Sequence, residues 1–330
     1  MRSKWGAGLL ATLAWGLVAA ASGGGANAHA GAQVHWPLPP ARLEDVLAHQ
    51  DFRILSLKGG VGGVSGVKKL HVVFPESGQE LDLKWKESPS GDADGWNNTP
   101  RKEIAAYELQ KWFLDPDDYI VPTAVVHCIP VSEYGPIRQN PRPTIEGTTC
   151  VVGTLVVWLE NVGVPKVLYD PERFANEERY RTHMANFNLL TYLIEHKDGR
   201  EGNFLTADDP GDRRIYSIDN GVAFGSLLTN WFVPNWQKIR VPSLSRQSID
   251  RLRKVTPEQL DALGVVAEMK ADDAGVLRVV PPGANEAPRK GARVKPGWLQ
   301  LGLERGEIED VKERLDHLLA DVDAGRWPLF

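Results

Sequence analysis

The sequence predicts an α+β fold in two lobes, an antiparallel-sheet lobe with one helix followed by a helix-rich lobe. Three observations carry this expectation. Strand-like segments dominate residues 45–160, and the clearest of them alternates apolar and charged side chains with a period of two. A single helical segment, RKEIAAYELQKWF, interrupts them. From about 163 the texture changes to longer helical stretches, so the boundary between 45–160 and 161–330 falls near 160–164.

Residues 1–30 read as a targeting segment. MRSK is a short basic start, GAGLLATLAWGLVAAA an apolar stretch, and ANAHA a small-x-small end, the pattern of a secretory signal peptide cut after Ala30. Export to the periplasm or the exterior is the expectation, with a retained anchor as the alternative. The apolar stretch is short for a bilayer, so no stable membrane span is expected. No cysteine follows it to take a lipid. About 300 residues remain, enough for one large domain or a two-lobed unit. Formal charge is −5, and −7 without Arg2 and Lys4, which argues against a nucleic-acid partner.

Residues 31–44, rich in Pro, Gly and Ala, read as an extended leader. DFRILSLKGGVGGVSGVKKLHVVF gives strand, glycine-rich turn, strand. In SGQELDLKWKE, Leu81, Leu83 and Trp85 alternate with Asp82, Lys84 and Lys86, a half-buried strand. Residues 88–100 form a loop, and Thr99–Pro100 a helix start. Ile104, Leu109 and Trp112 mark the following helix as amphipathic. Strands follow around 121–131 and 149–160, joined by the polar SEYGPIRQNPRPTIEG. They carry Cys128 and Cys150, either a disulfide, if the strands pair antiparallel, or two buried thiols. Beyond 163, RYRTHMANFNLLTYLIEH, SLSRQSIDRLRKV, TPEQLDALGVVAEM and RGEIEDVKERLDHLLADV read as helices, with 271–297 loop-like.

Four groups could carry chemistry. Gly60, Gly62 and Gly63 lie in KGGVGGVSG, a hairpin whose backbone N–H groups could approach phosphates, or simply a turn. No GK[ST] ends it, so it is not a P-loop. Lys84 and Lys86 share one strand face, and Glu103 near the start of the next helix is a candidate partner that would hold an ammonium against phosphate. Asp198 and Asn203, five apart, suit a carboxylate that orients an attacking hydroxyl and an oxygen ligand for magnesium. Asp219 in IYSIDNGVAFG would complete the metal site. Turns rich in Asp, Asn and Gly are the plainer reading, and EF-hand spacing is absent.

In this order, the glycine loop, strand lysine, helix glutamate, two strands, helix, Asp-x4-Asn and strand aspartate resemble the protein kinase-like superfamily. DGREGNFL is similar to the corresponding loop of the phosphatidylinositol 3- and 4-kinases and HipA-type kinases. IDNGVAFG and KEIAAYELQKWFLDPDDYIVP resemble segments of the secreted Golgi casein kinase family. The resemblance covers about 50–240. It implies a two-lobed kinase-like fold, ATP with Mg²⁺ or Mn²⁺ in the cleft, and an unidentified hydroxyl-bearing acceptor. By the same resemblance Lys86, with Lys84 as fallback, is the nucleotide lysine and Glu103 its partner. Asp198 is the catalytic aspartate and Asn203 and Asp219 are metal ligands. Trp158, Leu159 and Glu160 then fall in the adenine-binding hinge, Trp158–Val162. The chain departs from the pattern at Glu87, where Pro is expected, and at Asn220, so an Asp-Phe-Gly switch is not implied. His196 either echoes the His-Arg-Asp of protein kinases or ends a helix, and the second reading is preferred. LLTNWFVPNW, 227–236, reads as packing between the lobes, with an acceptor-site cover as the alternative. A pseudokinase and a kinase-fold enzyme that transfers an adenylyl group remain as alternative functions.

Overall fold

The computed structural model describes residues 35–330 apart from 59–66, 89–99, 200, 210, 213 and 226–235, and all but the side chain of Glu201. The expected signal peptide, Gly60, Gly62, Gly63, Thr99 and most of the aromatic run at 227–236 lie outside the described residues. The described fold belongs to one unit, Gln33–Phe330.

The architecture is mixed α+β with antiparallel sheets. Residues 31–44 are not extended throughout. Helix α1 (Pro40–His49) starts inside them, with Pro40 in its first turn, where a missing N–H leaves no bond unmade. Leu43, Val46 and Leu47 recur at helical spacing and are buried. Strands β1 (Arg53–Lys58), β2 (Lys68–Phe74) and β3 (Gln79–Glu87) follow as an antiparallel meander. Leu81, Leu83 and Trp85 of β3 fill the core as their alternation predicts. Strands β4 (Ala124–Pro130) and β5 (Cys150–Val157) complete the sheet in the order β1-β2-β3-β5-β4. Gly153 of β5 is a close-approach glycine, since a Cβ there would come within 2.6 Å of the Lys86 carbonyl oxygen and the Trp85 ring. β4 and β5 pair antiparallel, and Cys128 and Cys150 form a disulfide with Cα atoms 5.5 Å apart.

Helix α2 (Pro100–Gln110) differs from the expected amphipathic helix. It is buried nearly all round, and Arg101, Lys102 and Glu103 are as enclosed as Ile104 and Leu109. Buried charge needs partners, and Arg101 and Lys102 both reach Glu307.

The next elements are β6 (Val162–Gly163), α3 (Pro171–Asn176), α4 (Glu178–Leu193), β7 (Phe204–Ala207), β8 (Ile215–Ser217) and α5 (Arg246–Leu252). The helix expected across TPEQLDALGVVAEM stops early. α6 is only Pro257–Ala262, capped by Thr256 and Gln259, and β9 (Ala267–Ala271) begins soon after. With β10 (Leu277–Val280), β11 (Ala292–Lys295) and β12 (Trp298–Leu301) it forms an antiparallel sheet, β10-β9-β12-β11, over the region that reads as loop. These strands are too short to display a period in sequence. Their burial comes from a distant partner: Met269, Leu277 and Leu299 pack with Ile104, Val126, Cys128 and Val152 of the first half. The second half is therefore less helical than its sequence suggests. Helix α7 (Arg305–Asp323) ends the order of elements. Among the described residues no helix is long and apolar enough to cross a membrane.

Candidate active site

Strand β3 lies between β2 and β5, so its side chains are held from both sides. Trp85 takes the core face and Lys86 the opposite one. Lys86 is 7% exposed, and its Nζ donates to Asp219 Oδ1 at 2.9 Å. On the other side of this contact, β7 and β8 pair with Phe204 opposite Ser217. The flanking residues Asn203 and Asp219 are thereby brought close, and the Ile218 N–H donates to the Asn203 carbonyl at 2.8 Å. Asp219 itself is left-handed, φ 62° and ψ 57°, which aspartate tolerates better than most side chains. The turn is secured below by Ser217, whose hydroxyl donates to Asn220 Oδ1 at 2.7 Å.

Burial works to raise the pKa of Asp219, but the charges of Lys84 and Lys86 and the hydrogen bond from Lys86 hold it down to about 2. Lys84, two residues before Lys86 on the same strand face, makes no ion pair among the described residues, so its field falls on this carboxylate.

Asn203 is 4% exposed, and its Nδ2 donates at 2.8 Å both to the Asp198 carbonyl and to Asp198 Oδ2. These two bonds fix the amide orientation and leave Oδ1 free of any described donor. A hard divalent cation would suit this set, an ionised carboxylate and a carbonyl-type oxygen. Among the described residues no three His, Cys, Asp or Glu side chains converge as a metal site. His196 lies behind the pair of aspartates. It is 1% exposed, neither ring nitrogen has a hydrogen-bond partner, and burial outweighs Asp198 and Asp219 to hold its pKa down to about 4. It is a neutral packing residue edge-on to Phe204, in keeping with a helix-end histidine.

The structure thus joins Lys86 to Asp219 and Asp198 to Asn203. It does not join Lys86 to Glu103 as the resemblance implies. Among the described residues no ion pair links them, and Glu103 Oε1 is buried without a hydrogen-bond partner. In the hinge segment, Trp158 is covered by the Lys69 ammonium at 4.2 Å, and Leu159 is buried. Glu160 donates its N–H to the His35 carbonyl at 3.2 Å, and its own carbonyl lies 2.8 Å from His35 Nδ1. Sequence reading missed His35, which carries no motif, and Lys102, whose ammonium lies 2.9 Å from the Ala223 carbonyl. Trp236, at the end of the aromatic run, packs against Phe187 and Tyr169 in the core.

The chain matches no protein-family model, and no curated protein matches it.

Proposed function

We propose that this protein is an exported, two-lobed, kinase-like phosphotransferase. It would use ATP with Mg²⁺ or Mn²⁺ to phosphorylate a hydroxyl-bearing acceptor. The observation that carries the reading is the 2.9 Å contact between Lys86 and Asp219, 133 residues apart in sequence, beside Asn203 clamped to Asp198. Amine and carboxylate satisfy one another here. A chelated triphosphate would separate them, with phosphate oxygens on Lys86 and Lys84 and the metal on Asp219 and Asn203. When bound, the metal supplies charge neutralisation along the phosphates. Asp198 orients the acceptor hydroxyl and receives its proton. The hydroxyl oxygen bonds to the γ-phosphorus while the bridging P–O bond breaks, leaving ADP. In the hinge segment, where His35 takes both backbone groups of Glu160 and the Asp82 carbonyl takes the Trp158 N–H, the adenine would be lined by side chains rather than held by those backbone groups.

One observation favours a second reading, a nucleotide-binding module without turnover: Glu103 does not hold Lys86. A radiolabelled-ATP assay with mass spectrometry of the acceptor separates these readings. Transfer that adds a phosphate mass and is lost in Asp198→Ala supports the kinase. Binding without transfer supports the module, and an added adenylate mass would make it an adenylyl transferase.

A further inference from the structure

Lys102, 4% exposed in the first turn of α2, turns its ammonium into the protein. Nζ donates to the carbonyl of Ala223 at 2.9 Å and of Phe224 at 3.4 Å, and pairs with Glu307 Oε1 at 3.2 Å. Ala223 and Phe224 end the turn that Asp219 begins. Asp219 (φ 62°) and Phe224 (φ 55°) are both left-handed, a conformation that persists only where the surroundings fix it. The Phe224 N–H is held by the Ile194 carbonyl at 2.6 Å, and Lys102 holds the carbonyl side. Glu307 is itself fixed. It accepts from Arg101 Nη1 at 2.5 Å and Nη2 at 3.1 Å, and from the Glu304 N–H at 2.8 Å, at the start of α7.

We propose that Lys102 is a positioning residue: anchored by Glu307, it holds the end of the Asp219–Phe224 turn and so presents Asp219 to Lys86. Its effect on nucleotide binding rests on the kinase-like reading. Its effect on the turn does not.

Hydrogen–deuterium exchange on the full chain tests the turn, comparing the native chain with Lys102→Met, Lys102→Arg and the double variant Lys102→Met/Glu307→Met. In Lys102→Met the Glu307 carboxylate keeps Arg101 and the Glu304 N–H, so the single variant strands no buried carboxylate. The double variant, in which Arg101 keeps the Gly302 carbonyl and Glu304, is the second arm should the single variant not fold. The expected result is exchange over 218–225 about tenfold faster in the methionine variants, with β2 unchanged and partial restoration by arginine. Unaltered exchange at 218–225 in both methionine variants overturns the proposal. A thermal-shift titration with Mn²⁺ and a non-hydrolysable ATP analogue tests the consequence. The native shift should fall toward that of Asp219→Ala. A native chain that shows no shift while exchange responds refutes the kinase-like reading and leaves the positioning role standing. A full shift in a folded Lys102→Met refutes the consequence and leaves the kinase-like reading standing.

Discussion

Asp219 combines a left-handed backbone with a half-buried charge that is held by close cations. Its folded pKa of about 2 lies below the ordinary 3.8, so the stability it contributes is complete above pH 4 and is lost as pH falls toward 2. The shift corresponds to about 2 kcal/mol. Asp219→Asn should remove that part of the acid dependence, read as a flatter unfolding free energy between pH 4 and 2 in urea titrations. A profile parallel to the native one would mean that Lys84 and Lys86 do not hold the carboxylate. Asp198, Asn203 and Asp219 stood out in sequence through the order in which they follow the strand lysine and the helix glutamate, since segments rich in Asp, Asn and Gly are by themselves commonly turns. Lys102 was not legible, since a lysine in a first helical turn normally faces water, and only the fold aims it at the Ala223 carbonyl.

In the first sheet β3 was legible through its two-residue period and β4 and β5 through their apolar, β-branched runs, and the long helices α4 and α7 were legible through their length. Burial of α2 was not, because Arg101 and Lys102 read as a polar face until Glu307, 206 residues away from Arg101, meets them. Strands β9–β12 were hidden for the same reason, since their apolar partners lie on β4, β5 and α2. Two predictions concern the first sheet. Gly153→Ala should destabilise the protein by about 1–3 kcal/mol, because neither the Trp85 ring nor the β3 backbone can yield easily. It should also shift Lys86, seen as a changed response of the Asp219 titration. Cys128→Ser/Cys150→Ser opens a loop with a sequence separation of 22 and should cost about 3 kcal/mol in chemical denaturation, with the reductant-treated native chain losing a similar amount.

Across the molecule, three of the four imidazoles buried among the described residues, His127, His183 and His196, set the behaviour in mild acid. Burial holds His127, His183 and His196 down to about 4 from an ordinary 6.5, so the unfolded chain binds their protons first. The stability they permit is complete above pH 6.5 and drains away as pH falls toward 4, by up to roughly 3 kcal/mol for each. Thermal unfolding should accordingly show a falling melting temperature through that window, and His196→Phe should flatten it. Packing of the β9–β12 sheet on the β4–β5 disulfide region joins the end of the chain to the sheet that bears Lys86, so the site is supported from both halves of the sequence. The most direct test of the central claim is electron paramagnetic resonance of Mn²⁺ titrated with a non-hydrolysable ATP analogue, on the native chain, Lys86→Met and Asp219→Ala. The account predicts nucleotide-dependent Mn²⁺ binding by the native chain that weakens about 100-fold or more in Asp219→Ala and also falls in Lys86→Met. Equal binding by all three chains, or none by the native one, would contradict it.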